Sequence, residues 1–185
     1  TMNYRFSYLC KDFFATRTMT VSEFDAQMHK MIMRYPVQVS LVQMNFLDTH
    51  DVPRFLSYCV GDRRRLRLAY FYLFMGYGVP SVFYGDEYYI EGETENAYRS
   101  PMPWGSEDNC YDILREYAQI RREHSAIRNG TYRTVLCQDE KGLYLFLREN
   151  EQEKILIALN NSDEEQEISD KAWRIPPMQG DIRIL

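Results

Sequence analysis

Four consecutive residues, Asp48-Thr49-His50-Asp51, put two carboxylates and an imidazole at the end of the apolar run Asn45-Phe46-Leu47. A second acidic pair, Asp86-Glu87, follows the apolar run Ser81–Tyr84. Carboxylates that converge on one pocket suit glycoside chemistry, in which one protonates the leaving oxygen and another faces the developing positive charge. On spacing alone, Asp51 and Glu87 would form such a pair. Acidic residues at the ends of apolar runs also serve as helix caps, so both readings stand at this point.

The elements that would position these groups can be read along the chain. Thr20 with Glu23 forms a capping-box pair, and the apolar stripe Val21, Phe24, Met28, Met31, Ile32, Tyr35 predicts a helix that Pro36 stops. Tyr4–Phe14 is aromatic-rich and reads as partly helical. A short strand is centred on Met44–Leu47. Asp62 caps a helix that becomes apolar on all sides from Leu68 to Met75, the mark of a buried helix, so its run Tyr70–Phe74 reads as core. Ser81–Tyr84 reads as a second strand, residues 88–109 as a long loop of the kind that carries function, and Tyr111–His124 as a helix with Ile113, Leu114, Tyr117, Ala118 and Ile120 inward. Strand, acidic loop and helix thus occur twice. Parallel strands need such crossovers, and in a closed barrel the strand C-termini collect on the catalytic face.

Near Asn129-Gly130 the pattern changes. Thr131–Cys137, Leu143–Arg148 and Lys154–Leu159 are β-rich runs separated by turn clusters, with weaker strands at Trp173–Ile175 and Ile182–Leu185. The acidic run Asp163–Glu167 reads as a solvated turn. The expected fold class is α/β up to residue 128, followed by an all-β antiparallel module over 129–185.

The chain has 185 residues and a net charge of −5, with no basic face, which argues against nucleic acid as a partner. It contains no apolar run long enough to span a membrane; no signal peptide is expected, and the expected location is cytoplasmic. Cys10, Cys59, Cys110 and Cys137 are scattered, as reduced core cysteines are, and His29 and His124 fall in helical segments as ordinary boundary residues. Neither a cofactor nor a metal site is expected, since no oxygen-rich ligand cluster has convincing spacing.

Several motifs, in order, carry a resemblance. "NFLDTHDVPR" resembles the segment N-[FL]-L-D-x-H-D-x-P-R of the α-amylase family, in its neopullulanase, maltogenic amylase and cyclomaltodextrinase branch. "VPSVFYGDE" resembles the family's eighth barrel strand and "RSPMPW" the loop after it. "MNYRFSYLCKDFF" resembles the segment after the sixth strand, and "ALNNSD" a strand of the C-terminal β domain. The resemblance implies the C-terminal half of a (β/α)8 TIM barrel followed by a small antiparallel β-sandwich domain. It implies that Asp51 is the third catalytic carboxylate, which binds sugar hydroxyls and favours the oxocarbenium-like transition state, and that His50 holds the same ring. Arg99, with Glu95, falls at the next subsite. Asp48 and Arg54 would hold the loop, and Tyr84, Asp86 and Glu87 become supporting residues, so Glu87 loses its role as half of a catalytic pair. Two departures stand out. The family's Asp-Pro-Asp before Cys-Arg is here Glu95-Asn96-Ala97 before Tyr98-Arg99, and Val52 replaces the usual Thr.

The family's nucleophile and acid/base lie on the fourth and fifth strands, ahead of anything this chain resembles. A barrel takes about 250 residues, and a retaining glycosidase needs both groups roughly 5 Å apart. The expectation is a fragment of an α-glucan hydrolase, inactive alone, that binds α-glucan oligosaccharide. The alternative is a non-catalytic carbohydrate-binding or scaffolding module. The open edges of half a barrel imply pairing with the missing half or with a second copy of the chain.

Overall fold

The computed structural model describes residues 2–168 and 173–185. Helix α1 (Tyr4–Cys10) is capped by Asn3, whose side chain accepts from the Phe6 amide, and it runs on into a π-helical turn over Lys11–Ala15. Helix α2 (Val21–Ile32) opens with the expected capping box. Thr20 Oγ1 accepts from the Glu23 amide at 3.2 Å, and the Glu23 carboxylate accepts from the Thr20 amide at 2.9 Å. The helix ends at Ile32 rather than Tyr35, because Pro36 disfavours a helical residue before it, and the chain restarts as α3 (Val37–Leu41).

Strand β1 (Met44–Asn45) is followed by α4 (Phe55–Tyr58) and α5 (Arg63–Met75), and strand β2 (Val79–Pro80) then pairs with β1 in parallel. Met2 bridges Met44, also in parallel, so three parallel segments lie side by side. The second strand therefore sits earlier than Ser81–Tyr84. The Ser81 amide still donates to Asn45 O at 2.8 Å. Beyond Asn45 the first strand turns into its loop, and Val82–Tyr84 have no ladder to join among the described residues.

Asp62 caps α5 by accepting from the Arg64 amide, and every side chain from Leu68 to Met75 is buried, as the all-round apolar pattern requires. The expected long loop holds a short helix, α6 (Glu95–Tyr98). Helix α7 (Tyr111–Glu123) sets Ile113, Leu114, Tyr117 and Ile120 on the core, whereas Ala118 faces solvent, and α8 (Ser125–Asn129) ends the helical part.

Strands β3 (Thr131–Gln138), β4 (Leu143–Glu149), β5 (Lys154–Asn160), β6 (Gln166–Ile168), β7 (Trp173–Ile175) and β8 (Gln179–Ile184) follow. They form an antiparallel sheet ordered β3-β4-β5-β8 and a separate β6-β7 pair. Strand β6 replaces part of the expected solvated turn at Asp163–Glu167. Gln166 and Ile168 point inward and Glu167 outward, the alternation that pairing demands. The same alternation gives the larger sheet two apolar faces. Tyr144, Phe146, Ile155, Ile157 and Leu159 join the core beneath α2 and α5, while Leu143, Leu145, Leu147 and Leu156 pack with Ile168, Trp173 and Ile175. The helical part and the sheet thus share one continuous core.

Two histidines stand at the seam between helices and sheet. His29 Nε2 lies 2.7 Å from Thr134 Oγ1, and His124 Nδ1 lies 2.8 Å from Glu153 Oε2. Beside Met2, at the open edge of the parallel strands, a groove of about 710 Å³ is lined by Met2, Tyr4, Arg5, Met31, Tyr35 and Val39 among others.

Candidate functional site

The C-terminal end of β1 leads into a loop whose floor is buried and whose rim is open. Phe46, Leu47, Asp48 and Thr49 are buried, whereas the side chains of His50 and Asp51 are 58% and 51% exposed. The Asp51 amide donates to Thr49 Oγ1 at 3.2 Å, which turns the two residues outward together. His50 Nε2 then lies 3.3 Å from Asp51 Oδ1.

The long loop after β2 brings Arg99 to the same place. Its Nε donates to His50 O at 2.8 Å, its Nη2 lies 3.4 Å from Asp51 Oδ1, and its Nη1 lies 2.8 Å from Glu95 Oε1, one helical turn back. All four residues proposed from sequence, His50, Asp51, Glu95 and Arg99, are therefore brought together on one exposed surface. A fifth was not foreseen: the Tyr4 hydroxyl donates to Asp51 Oδ2 at 3.4 Å from the start of α1. Its signal in the sequence is its place in the motif "MNYRFSYLCKDFF".

Glu87 behaves differently. Its carbonyl accepts from the Cys110 amide at 2.8 Å and its Oε2 is buried with no hydrogen-bond partner among the described residues, so it belongs to the packing behind the loop. Among the described residues, the side chains that touch Asp51 are Tyr4, Thr49, His50 and Arg99, and none is a second carboxylate. The pairing of Asp51 with Glu87 suggested by spacing does not form. Tyr89 is buried, its hydroxyl accepting from Arg67 at 2.6 Å, and Tyr88 packs on Tyr111.

Below the rim lies a charged core. The fully buried Arg54 meets Asp86 Oδ1 at 3.1 Å and donates to Tyr84 O at 2.6 Å and Tyr98 O at 3.0 Å. Its guanidinium also stacks over Phe83, 4.2 Å from the ring centroid. Asp86 accepts from the Tyr70 hydroxyl at 2.6 Å, and Asp48 Oδ2 accepts from the Phe55 amide at 2.6 Å. Burial pushes the Asp48 carboxyl well up, and the adjacent Asp86 adds to the rise; burial raises Asp86 too. Among the described residues no group of His, Cys, Asp and Glu side chains is placed to hold a metal ion.

The family model for the alpha amylase catalytic domain matches residues 1–141. The chain belongs to the α-amylase family. A cyclomaltodextrinase from a Bacillus species is 32% identical over 86% of this chain, and a neopullulanase from Thermoactinomyces vulgaris is 31% identical over 90% of it. The chain spans 29% of the length of each. Among solved α-amylase-family structures, a cyclomaltodextrinase superposes with a TM-score of 0.82 at 32% identity, covering 89% of this chain and 29% of that one. The fold alone is shared with a cyclic alpha-maltosyl-(1→6)-maltose hydrolase from Arthrobacter globiformis, at TM-score 0.91 and 24% identity over the whole of this chain and 44% of that one. The segment that carries His50 and Asp51 and the segment that carries Arg99 both fall within the matched catalytic domain.

Proposed function

We propose that this chain is the C-terminal half of a (β/α)8 barrel, residues 1–128, with its antiparallel β-sandwich domain, residues 129–185, and that it forms part of a retaining α-glucan hydrolase acting on starch-derived oligosaccharides or cyclodextrins. The observation that carries this reading is the convergence of His50, Asp51 and Arg99 on one open surface within the matched domain. Asp51 supplies the carboxylate that meets the sugar hydroxyls and stabilises positive charge as the ring flattens. His50 binds the same ring, and Arg99 with Glu95 borders the next one. The nucleophile and the acid/base come from the preceding half barrel, so the isolated chain binds maltooligosaccharide weakly and does not cleave it.

The open edge at Met2 and the groove beside it support docking of that missing half, or of a second copy in its absence. A relative described as an intracellular maltogenic amylase and four unpaired thiols favour the cytoplasm.

Complementation tests the proposal. The purified chain is mixed with a polypeptide carrying the other barrel half of a cyclomaltodextrinase, and maltose release is followed. Hydrolysis is expected only in the mixture, and Asp51→Ala should abolish it. Cleavage by the chain alone, sensitive to Asp51→Ala, would refute the division of labour. Sugar binding that no barrel half converts into hydrolysis would point instead to a non-catalytic carbohydrate-binding module.

A further inference from the structure

Arg54 lies directly beneath the exposed trio, and its bonds run to the segment that ends in Arg99. Its amide donates to Gly92 O at 2.9 Å, its Nη1 to Tyr84 O at 2.6 Å, and its Nε to Tyr98 O at 3.0 Å, one residue before Arg99. Arg99 then returns to His50 O and Asp51. The loop after β1 and the loop after β2 are closed into a ring that Arg54 fastens from below. Gly85, at φ +90°, lets the second loop turn this tightly, since a Cβ there would come within 2.4 Å of Ile90.

We propose that Arg54, paired with Asp86 and backed by Asp48, is a positioning residue that sets Arg99 against Asp51 and His50. This rests on the sugar-binding reading of those three residues and names what holds them in place.

The chemistry of the pair fits a fixed support. Asp86 accepts from both Arg54 and Tyr70, which suits its ionised form. Asp48 Oδ1 is buried, meets no N–H donor among the described residues and lies against the Asp86 carboxyl. Two carboxyls in such contact are held together by a proton on one of them, here Asp48, leaving one negative charge opposite one guanidinium. The other titratable groups that face the pair are Tyr70 of α5, Tyr58 and Cys59 at the end of α4, and Cys110. Burial raises the Tyr58, Cys59, Tyr70 and Cys110 side chains, so all stay neutral at neutral pH.

The test follows the Arg99 Nε–H resonance of the isotope-labelled 185-residue chain together with its affinity for maltotetraose. Arg54→Lys keeps the charge but cannot reach two carbonyls and a carboxylate in one plane. It should leave the melt cooperative, shift the Arg99 resonance toward that of a solvated arginine, and weaken binding about tenfold, the loss of one charge-assisted hydrogen bond. A folded Arg54→Lys chain with both readouts unchanged overturns the proposal. Where Arg54→Lys does not fold, the wild type is titrated upward instead. Ionising Asp48 puts a second negative charge beside Arg54, and the Arg99 resonance should move with that step in wild type and stay still in Asp48→Asn. A wild-type resonance that ignores the step overturns the proposal as well. A wild-type chain that binds no maltotetraose defeats the sugar reading, and the resonance still decides the positioning role.

Discussion

Arg99 Nη2 stands 3.4 Å from Asp51 Oδ1 with both side chains about half exposed, at 44% and 51%. Water screens such a pair, and exposed ion pairs contribute roughly 0–1 kcal/mol to stability. Arg99→Ala should therefore leave the urea midpoint almost unmoved. Its cost should fall on ligand binding, because the guanidinium bonded to His50 O fixes the surface proposed to meet the sugar. About a tenfold loss of maltooligosaccharide affinity, read by calorimetry, is the expected outcome. A large loss of stability with affinity intact would reverse the assignment.

Arg148 shows the opposite balance. It is fully buried and, among the described residues, has no carboxylate partner in its hydrogen-bond set. It donates to Met75 O at 3.1 Å, Gly76 O at 2.5 Å, Thr131 O at 3.0 Å and Gly130 O at 3.1 Å. These are the last carbonyls of α5 and the entry to β3, so one planar cation caps the helix and ties it to the sheet. Burial and the nearby Arg121 lower its pKa to about 10, which leaves it charged at neutral pH. Arg148→Met strands several buried carbonyls and should cost about 3 kcal/mol in urea unfolding. Arg148→Lys should fall between, because an ammonium cannot serve all four oxygens. An Arg148→Met chain as stable as wild type would show that water replaces the guanidinium.

The range of each interaction decides how much of it is legible in the sequence. The Thr20–Glu23 capping box, the Asp62 cap and the buried stretch Leu68–Met75 depend on neighbours within a turn or two, and each forms where expected. The strands flanking Asp139–Gly142 and Asn150–Glu153 are similarly local. The second parallel strand is displaced to Val79–Pro80 because its register is set by Asn45, far off in the chain. Strand β6 leaves little trace in the sequence, because only Gln166 and Ile168 point inward in an acidic stretch. At the candidate site, the segments of His50-Asp51 and of Arg99 stand out in the sequence, and the fold brings them together. That Tyr4 reaches Asp51, and that Arg54 bonds Asp86 and Tyr98, could not be read, since those contacts depend on how three loops meet.

The carboxyl pair beneath the site gives a pH prediction. Asp48 has its pKa raised in the folded state, chiefly by burial and then by Asp86. The unfolded chain gives up its proton first, near about pH 4, while the folded chain holds on. Stability from this group is thus complete at low pH and is lost as pH rises from about 4 toward the raised folded value. Asp48→Asn keeps a carbonyl for the Phe55 amide and offers an N–H to Asp86 with nothing to ionise. Its melting temperature should exceed wild type at pH 7, with the gap closing toward pH 4. A gap that is constant or reversed across that window would mean that the pair does not carry the extra proton.

Strand β8 docks on α5 through a close approach at Gly180. A Cβ placed there would lie 2.1 Å from Phe71 Cδ1 and 2.3 Å from its Cε1. Phe71 is itself buried and packs edge-on against Tyr117 of α7, so the ring has little room to retreat. Overpacking of this kind typically costs about 1–3 kcal/mol. Gly180→Ala should lower the urea midpoint by that amount. Shortening the ring in the double variant with Phe71→Leu should recover part of the loss, giving a coupling energy that neither single change predicts. If Gly180→Ala and Phe71→Leu instead add independently, the sheet and the helix do not depend on this contact, and the shared core must be held by the residues around Tyr144 and Phe146.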